Sequence, residues 1–189
     1  MYGMVNKAVQ DLIVSNHGEE VWEKIRQQAG VEEELFISTE PYPDDISFRL
    51  VAAASAILAV PAEVVLNQFG RWWILKTAIE GYGPLMKASG RSLGEFLEKL
   101  PNFHTRIVMM MPALRPPEFE CSDVQQGSLR LHYRSHRRGL SAFVMGLLDG
   151  LGEMFATPVT VCHEQRQDDG ADHDVFLVSW KAGISTEPK

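Results

Sequence analysis

The sequence predicts an α+β fold: a helical N-terminal part packed against a C-terminal four-stranded antiparallel sheet, with one helix crossing over it. Three observations point there. Apolar residues recur at helical spacing through the first two-thirds of the chain. From about Glu118 the period changes to the alternation of strands. Between the two strand pairs lies one apolar stretch, Leu140 to Phe155, that reads as a helix. A length of 189 residues suits one domain with a sizeable core.

Val5, Val9, Leu12 and Ile13 form the stripe of a first helix, which Gly18 of "SNHG" ends with a left-handed cap. Residues 19–29 form a second helix, stopped by Gly30. "EPYPDD" (Glu40 to Asp45) is a loop whose acids suit the start of the next helix. That helix, 46–58, is rich in alanine and reads as buried. Pro61 opens another through about Ile79, containing "FGRWWILK", and "EGYG" (Glu80 to Gly83) breaks it. Ser92 and Glu95 then form a capping box. Beyond it Leu93, Leu97, Leu100, His104, Ile107 or Val108, and Met111 share one helical face. Pro101 must kink this helix or restart it as the first residue of a new turn. "LRPPEF" (Leu114 to Phe119) ends the helical part.

Residues 118–123 and 128–137 pair as a hairpin with its turn near "VQQG". After the helix at 140–155, residues 158–166 make a third strand, "DDGADHD" (Asp168 to Asp174) a turn, and residues 175–181 the last strand. Residues 1–182 thus read as a single domain, mainly helical over 1–115 and sheet-containing over 116–182. Residues 183–189 read as a flexible tail.

The net charge of -7 argues against nucleic acid as a main partner. Two cysteines, Cys121 and Cys162, lie in no CxxC pair. They read as reduced, partly buried thiols rather than a disulfide scaffold. The N-terminus lacks a signal-peptide layout. The most apolar stretch, Val51 to Val65, is too short for a membrane span and contains Pro61 and Glu63. A soluble cytoplasmic protein is the expectation.

Of six histidines, His17, His132, His136, His163 and His173 sit in polar surroundings or beside turns. His104 differs, because its helical neighbours are Leu100, Pro101, Ile107 and Val108. Burying an imidazole costs free energy unless its nitrogens are satisfied. A core histidine bonded to a backbone carbonyl is one answer; a ligand role is the other. Zinc would need clustered ligands, and Cys162-His163 is one adjacent pair whose side chains diverge on a strand. Ser135 lacks the G-x-S-x-G elbow of a nucleophile. A haem iron would satisfy one nitrogen of His104 while the ring lies in an apolar pocket. No CxxCH is present, so attachment would be non-covalent.

Haem carries two propionates that need donors. In "LHYRSHRRGL" alternation puts Tyr133, Ser135 and Arg137 on one strand face. Arg130, His132, Arg134, His136 and Arg138 fall on the other, which reads as solvated. Two hydroxyls and a forked guanidinium match carboxylates. The same cluster would equally stabilise the fold by pairing Arg137 with Asp44 or Asp45. Residue types alone leave both open.

Taken together, these features resemble the H-NOX family, the haem-nitric oxide/oxygen binding fold shared with the sensor domain of soluble guanylate cyclase. The resemblance is carried by Y-x-S-x-R (Tyr133, Ser135, Arg137), by His104 in "NFHTRI", and by "MYGMVNKA", "RPP" (Arg115 to Pro117) and "GLLDGLG". It runs from Met1 to about Lys181. It implies haem b between the helical part and the sheet, with His104 as axial iron ligand and Leu100 on the same face beside the cofactor. Tyr133, Ser135 and Arg137 would hold the propionates, and Pro117 would press on the porphyrin and distort it. Met1 would lie in the segment packing on the distal side. Val5, Trp73, Phe143 and Leu147 would line the distal pocket. Oxygen-binding members carry a distal tyrosine where this chain has Phe143, so the resemblance implies a nitric oxide sensor that discriminates against oxygen and also takes carbon monoxide. The Trp73 indole is read as filling the distal side. Zinc, bound by cysteines in some members, is not expected, because Arg138 follows the motif arginine.

In the family pattern, gas binding weakens the iron–His104 bond, the helix of His104 moves, and the haem relaxes against Pro117. A separate protein, such as a histidine kinase or a diguanylate cyclase or phosphodiesterase, reads the change. The chain itself is then not an enzyme, and neither nucleic acid nor membrane is a partner. The alternatives are an oxygen-binding sensor of the same fold, and a haem-free protein whose Tyr133, Ser135, Arg137 cluster binds an anionic metabolite.

Overall fold

Val9, Leu12 and Ile13 are buried along α1 (Gly3–His17), and Trp22 and Ile25 along α2 (Glu19–Gln28). Spacings of three and four residues put each set on one face. The computed structural model describes residues 1–111 and 114–181. Gly18, at φ 85°, ends α1 and opens α2 in one step, a conformation that costs glycine little. α3 (Asp44–Leu58) has Asp44 and Asp45 in its first turn, where carboxylates meet the positive end of the helix dipole. With α4 (Ala62–Trp72), these helices enclose a first core around Trp22, Ile25, Leu50 and Ala54.

The helix after Pro61 runs further than expected. α4 passes through a π-helical turn (Trp73–Ala78) into α5 (Ile79–Ser89). "EGYG" therefore does not break it; Glu80 to Gly83 lie inside α5. Each glycine costs about 1 kcal/mol in a helix interior. Ala78, Gly83, Met86 and Ser89 are nevertheless buried along α5 and the turn before it, and that packing outweighs local propensity. Ser92 caps α6 (Leu93–Glu98), its Oγ accepting from the Glu95 amide at 3.3 Å. Pro101 sits in the first turn of α7 (Leu100–Met110) and so restarts the helix, where its missing N–H is least costly.

β1 (Glu118–Gln125), β2 (Ser128–Arg134), β3 (Val159–Gln165) and β4 (Asp174–Trp180) form one antiparallel sheet in the order β1-β2-β4-β3. Leu129, Leu131 and Tyr133 of β2 face a second core with Phe119, Phe176 and Val178. The opposite face of β2 is not a bare basic surface. Arg130 pairs with Asp123 and Glu164, and Arg134 with Glu120.

β2 stops at Arg134, short of the expected Arg137, so Ser135 and Arg137 lie in a loop rather than on the strand. The Arg137 amide donates to Ser135 Oγ at 3.1 Å, a local bond that competes with the sheet ladder. α8 (Ser141–Met154) leads from that loop to β3 and crosses α4 at close range. A Cβ added to Gly70 would stand 2.1 Å from the Phe143 carbonyl oxygen, and one on Gly146 2.0 Å from the Asn67 carbonyl oxygen. The expected tail, 183–189, lies outside the described residues. Among the described residues no single helix is long and apolar enough to cross a membrane; α3 and residues 62–89 pass that test only as a pair bent by 115°.

Candidate functional site

Between the two cores lies an apolar cavity of about 260 Å³. Every residue expected at the site lines it: Val5, Trp73, Leu100, His104, Pro117, Tyr133, Ser135, Arg137, Phe143 and Leu147, with Met1 beside them. The helical stripe of α7 brings Leu100, His104 and Ile107 to one wall. The loop after β2 brings Ser135 and Arg137 to the same cavity that strand β2 gives Tyr133.

Among the described residues His104 has no carbonyl partner at Nδ1, which is buried and unbonded. Its ring stacks on Phe119 with centroids 5.3 Å apart at 24°. Burial pushes its pKa down to about 4, so at neutral pH the ring is an uncharged imidazole, the form that ligates metals. An orphaned buried nitrogen costs about 1–3 kcal/mol.

Tyr133 is buried; burial pushes its phenol pKa up, while Ser135 beside it pulls the other way. Arg137 donates from Nε to Asp44 Oδ2 at 2.7 Å, from Nη2 to Asp44 Oδ1 at 3.3 Å, and from Nη1 to the Arg115 carbonyl at 3.0 Å. The pairing with Asp44 and the place in the cavity wall, which residue types left as alternatives, coexist. Burial raises the Asp44 pKa, but bonds from Arg137 and the N-terminal ammonium outweigh it and hold the carboxyl below its usual range. A guanidinium has five N–H donors, and these bonds among the described residues use three.

The opposite wall is aromatic. Phe143 lies 5.0 Å from Phe69, which meets Trp73 edge-on at 6.1 Å. The glycine-mediated crossing of α4 and α8 sets Phe143 there. Tyr82, hidden in the stretch read as a helix break, also lines the cavity. Its hydroxyl lies 3.3 Å from Met111 Sδ and 3.8 Å from Met4 Sδ, and burial pushes its pKa up. Ser47 lines the cavity too and donates to buried Asn6 at 2.5 Å. The signal for it was a polar Asn6 standing on the stripe of Val9 and Ile13.

Other expectations need correction. Cys162 is exposed, whereas Cys121 is half-buried, donates to the Leu97 carbonyl at 3.4 Å, and has its pKa raised by burial to about 11. His163 is not in polar surroundings: it is buried, stacks on Phe176 at 4.4 Å and bonds Asp174 at 2.7 Å. Its inward position follows from strand alternation with Val161.

The model of the family described as haem-NO-binding matches residues 2–163. The chain belongs to the H-NOX family. This is a family of haem-based gas sensors. Among curated relatives, the soluble guanylate cyclase gcy-35 of Caenorhabditis elegans is 29% identical over 202 residues, matching 100% of this chain and 29% of its own length. The soluble guanylate cyclase gcy-33 of the same organism is 30% identical over 155 residues, matching 82% of this chain and 16% of its own length. The chain thus spans less than a third of these relatives. Among solved structures, an H-NOX protein from S. oneidensis in the Fe(II)NO state superposes with a TM-score of 0.87 at 19% identity, covering 96% of this chain and 99% of that one. An oxygen-binding H-NOX domain related to soluble guanylate cyclases superposes at 0.79 with 22% identity, covering 100% of both. These likenesses establish the H-NOX fold of the helical part, the sheet and the crossing helix.

Proposed function

We propose that residues 1–182 act as a single sensor domain that holds haem b in the cavity, binds nitric oxide at ferrous iron and discriminates against oxygen. The observation that carries this reading is His104: a neutral imidazole in the wall of an apolar cavity, on the face of α7 that it shares with Leu100 and Ile107. The donor set fits haem at both ends. His104 would offer a nitrogen to the iron, and Tyr133, Ser135 and the remaining N–H groups of Arg137 would offer donors to two carboxylates. When bound, haem supplies an iron with a position open to a diatomic gas.

The chain's own residues do the rest. Leu100, Ile107 and Phe119 keep water from the His104 side, and Pro117 limits how the bound group lies. Val5, Phe69, Trp73, Phe143 and Leu147 enclose the gas. Phe143 has no donor to stabilise the partial negative charge of bound oxygen, whereas nitric oxide and carbon monoxide need less of such help. A change in the hold of His104 moves α7, and the helical part shifts relative to the sheet, a two-state change that a partner can read. The reading is of a non-catalytic module signalling to a separate protein, such as a histidine kinase or a diguanylate cyclase or phosphodiesterase, inside the cytoplasm.

Absorption spectra of the reduced protein under argon, nitric oxide and air test this. The expected outcome is a five-coordinate ferrous spectrum, a stable nitrosyl complex and no stable oxy complex. Loss of the ferrous spectrum in His104→Ala, with recovery on adding imidazole, supports the ligand role; failure of the full chain to take up haem overturns the whole reading. A second reading, an oxygen sensor, is favoured by one observation, the Tyr82 hydroxyl in the cavity. A stable oxy spectrum lost in Tyr82→Phe would establish it.

A further inference from the structure

On the outer face of the sheet, four polar side chains form an unbroken hydrogen-bonded series that gas sensing does not use. Ser122 Oγ lies 2.8 Å from His132 Nε2, His132 Nδ1 lies 2.8 Å from His173 Nε2, and His173 Nδ1 lies 2.9 Å from Asp172 Oδ2. The series runs from β1 through β2 to the loop before β4. An ionised carboxylate only accepts, so Asp172 sets the direction. His173 donates to Asp172, His132 donates to His173, and the Ser122 hydroxyl donates to His132. Every atom is satisfied with both imidazoles neutral.

We propose that His132 and His173 form a site for one extra proton, and that a second proton breaks their contact and releases the loop 166–173 from the sheet. The first proton enters at His132 Nε2. Ser122 then accepts instead of donating, and the other two bonds persist. The second proton has no such place. It must put N–H on both facing nitrogens, leaving two cations and two donors 2.8 Å apart. Like charges so close do not both persist in contact.

The surroundings bear on the same titration. Burial, His173 and Arg134 of β2 disfavour charge on His132, and Glu120 and Asp123 of β1 favour it; the net effect lowers its pKa. β4 presents Val175 opposite His132, and Glu164 of β3 is held by Arg130. Asp172 faces His173 from the loop. For a histidine with a lowered folded pKa, the folded state loses stability as pH falls from the unfolded value near 6.5 toward the folded one.

The loop leads directly into a buried anchor. Asp174, next to His173, is buried and accepts from Ser141 Oγ at 3.4 Å, the Gln167 amide at 3.1 Å and His163 at 2.7 Å. Ser141 is the first residue of α8, which carries Phe143. The contact of His132 with His173 is thus a latch that pins the loop anchoring the start of that helix.

Imidazole NMR titration of the full chain from pH 8.5 to 4.5 tests the proposal, with His132→Gln, His173→Gln and Ser122→Ala. The two histidines should titrate as a coupled pair in two steps more than about one unit apart. In His132→Gln, the titration of His173 should collapse to a single step. As pH falls toward the lower step, hydrogen exchange of the loop, corrected for intrinsic rate, should accelerate by up to about tenfold per pH unit, and it should level off below that step. Ser122→Ala leaves both imidazoles in place and should keep the coupling. Single-step titrations indifferent to loss of the other histidine, or loop exchange that ignores the lower step, would overturn it.

Discussion

Arg137 and Asp44, 93 residues apart in sequence, meet through two bonds at 2.7 and 3.3 Å. One comes from the loop after β2 and the other from the first turn of α3. The pair therefore ties the sheet-bearing half to the helical half at the edge of the cavity. Asp44→Asn keeps the shape and removes the charge. It should destabilise the haem-free protein by about 1 kcal/mol at pH 7, since the carboxylate is part-exposed, read as a shift in the urea midpoint. The sign with pH follows from the lowered carboxyl. The pair stabilises fully above the unfolded value near 4 and loses that stabilisation as pH falls through the lower folded value. Asp44→Asn should flatten this part of the acid limb.

His104 gives a prediction of the opposite sense. Its Nδ1 is buried and has no bond among the described residues, so an apolar side chain of similar size removes a cost. His104→Leu should stabilise the haem-free protein by about 1–2 kcal/mol while abolishing the five-coordinate ferrous spectrum. Denaturant unfolding and absorption together read both. A histidine serving as ordinary core packing would instead lose stability on this change.

Phe143→Tyr places a hydroxyl in the wall opposite His104. A hydrogen bond to bound oxygen in a dry pocket is worth about 1–3 kcal/mol, which is roughly 5- to 150-fold in affinity. Stopped-flow mixing of the ferrous variant with air-saturated buffer should show an oxy complex that the parent lacks. Trp73→Phe should leave the parent's behaviour unchanged, because the indole is packed edge-on against Phe69. Gain or loss of oxygen binding in Trp73→Phe would assign the gas preference to the indole N–H.

Much of this was readable from residue order, because periodicity reports which face is buried. The stripe from Leu93 to Ile107 announced α6 and α7 and placed His104 on the cavity wall. Alternation placed Leu131 and Tyr133 correctly but misled at Ser135 and Arg137, where a side-chain bond to the backbone ends the strand. Tyr82 was missed because its flanking glycines read as a break, and only burial along α5 keeps them helical. The latch at His132 and His173 was not legible at all. It depends on the loop 166–173 folding back over β2, and no local pattern records that contact.

The α4–α8 crossing makes the last prediction. At Gly146 an added methyl would stand 2.0 Å from the Asn67 carbonyl oxygen, a backbone atom that cannot swing aside. Gly146→Ala should therefore force the helices apart, at about 2–4 kcal/mol, and take Phe143 away from Phe69. Gly81→Ala is the control: nothing lies within 4 Å of its added methyl, and the residue sits inside α5. It should gain about 0.5–1 kcal/mol from helix propensity. Thermal unfolding of both haem-free variants reads the contrast. If Gly146→Ala were as stable as the parent, α4 and α8 would not be in backbone contact, and the placement of Phe143 in the cavity wall would lose its structural cause.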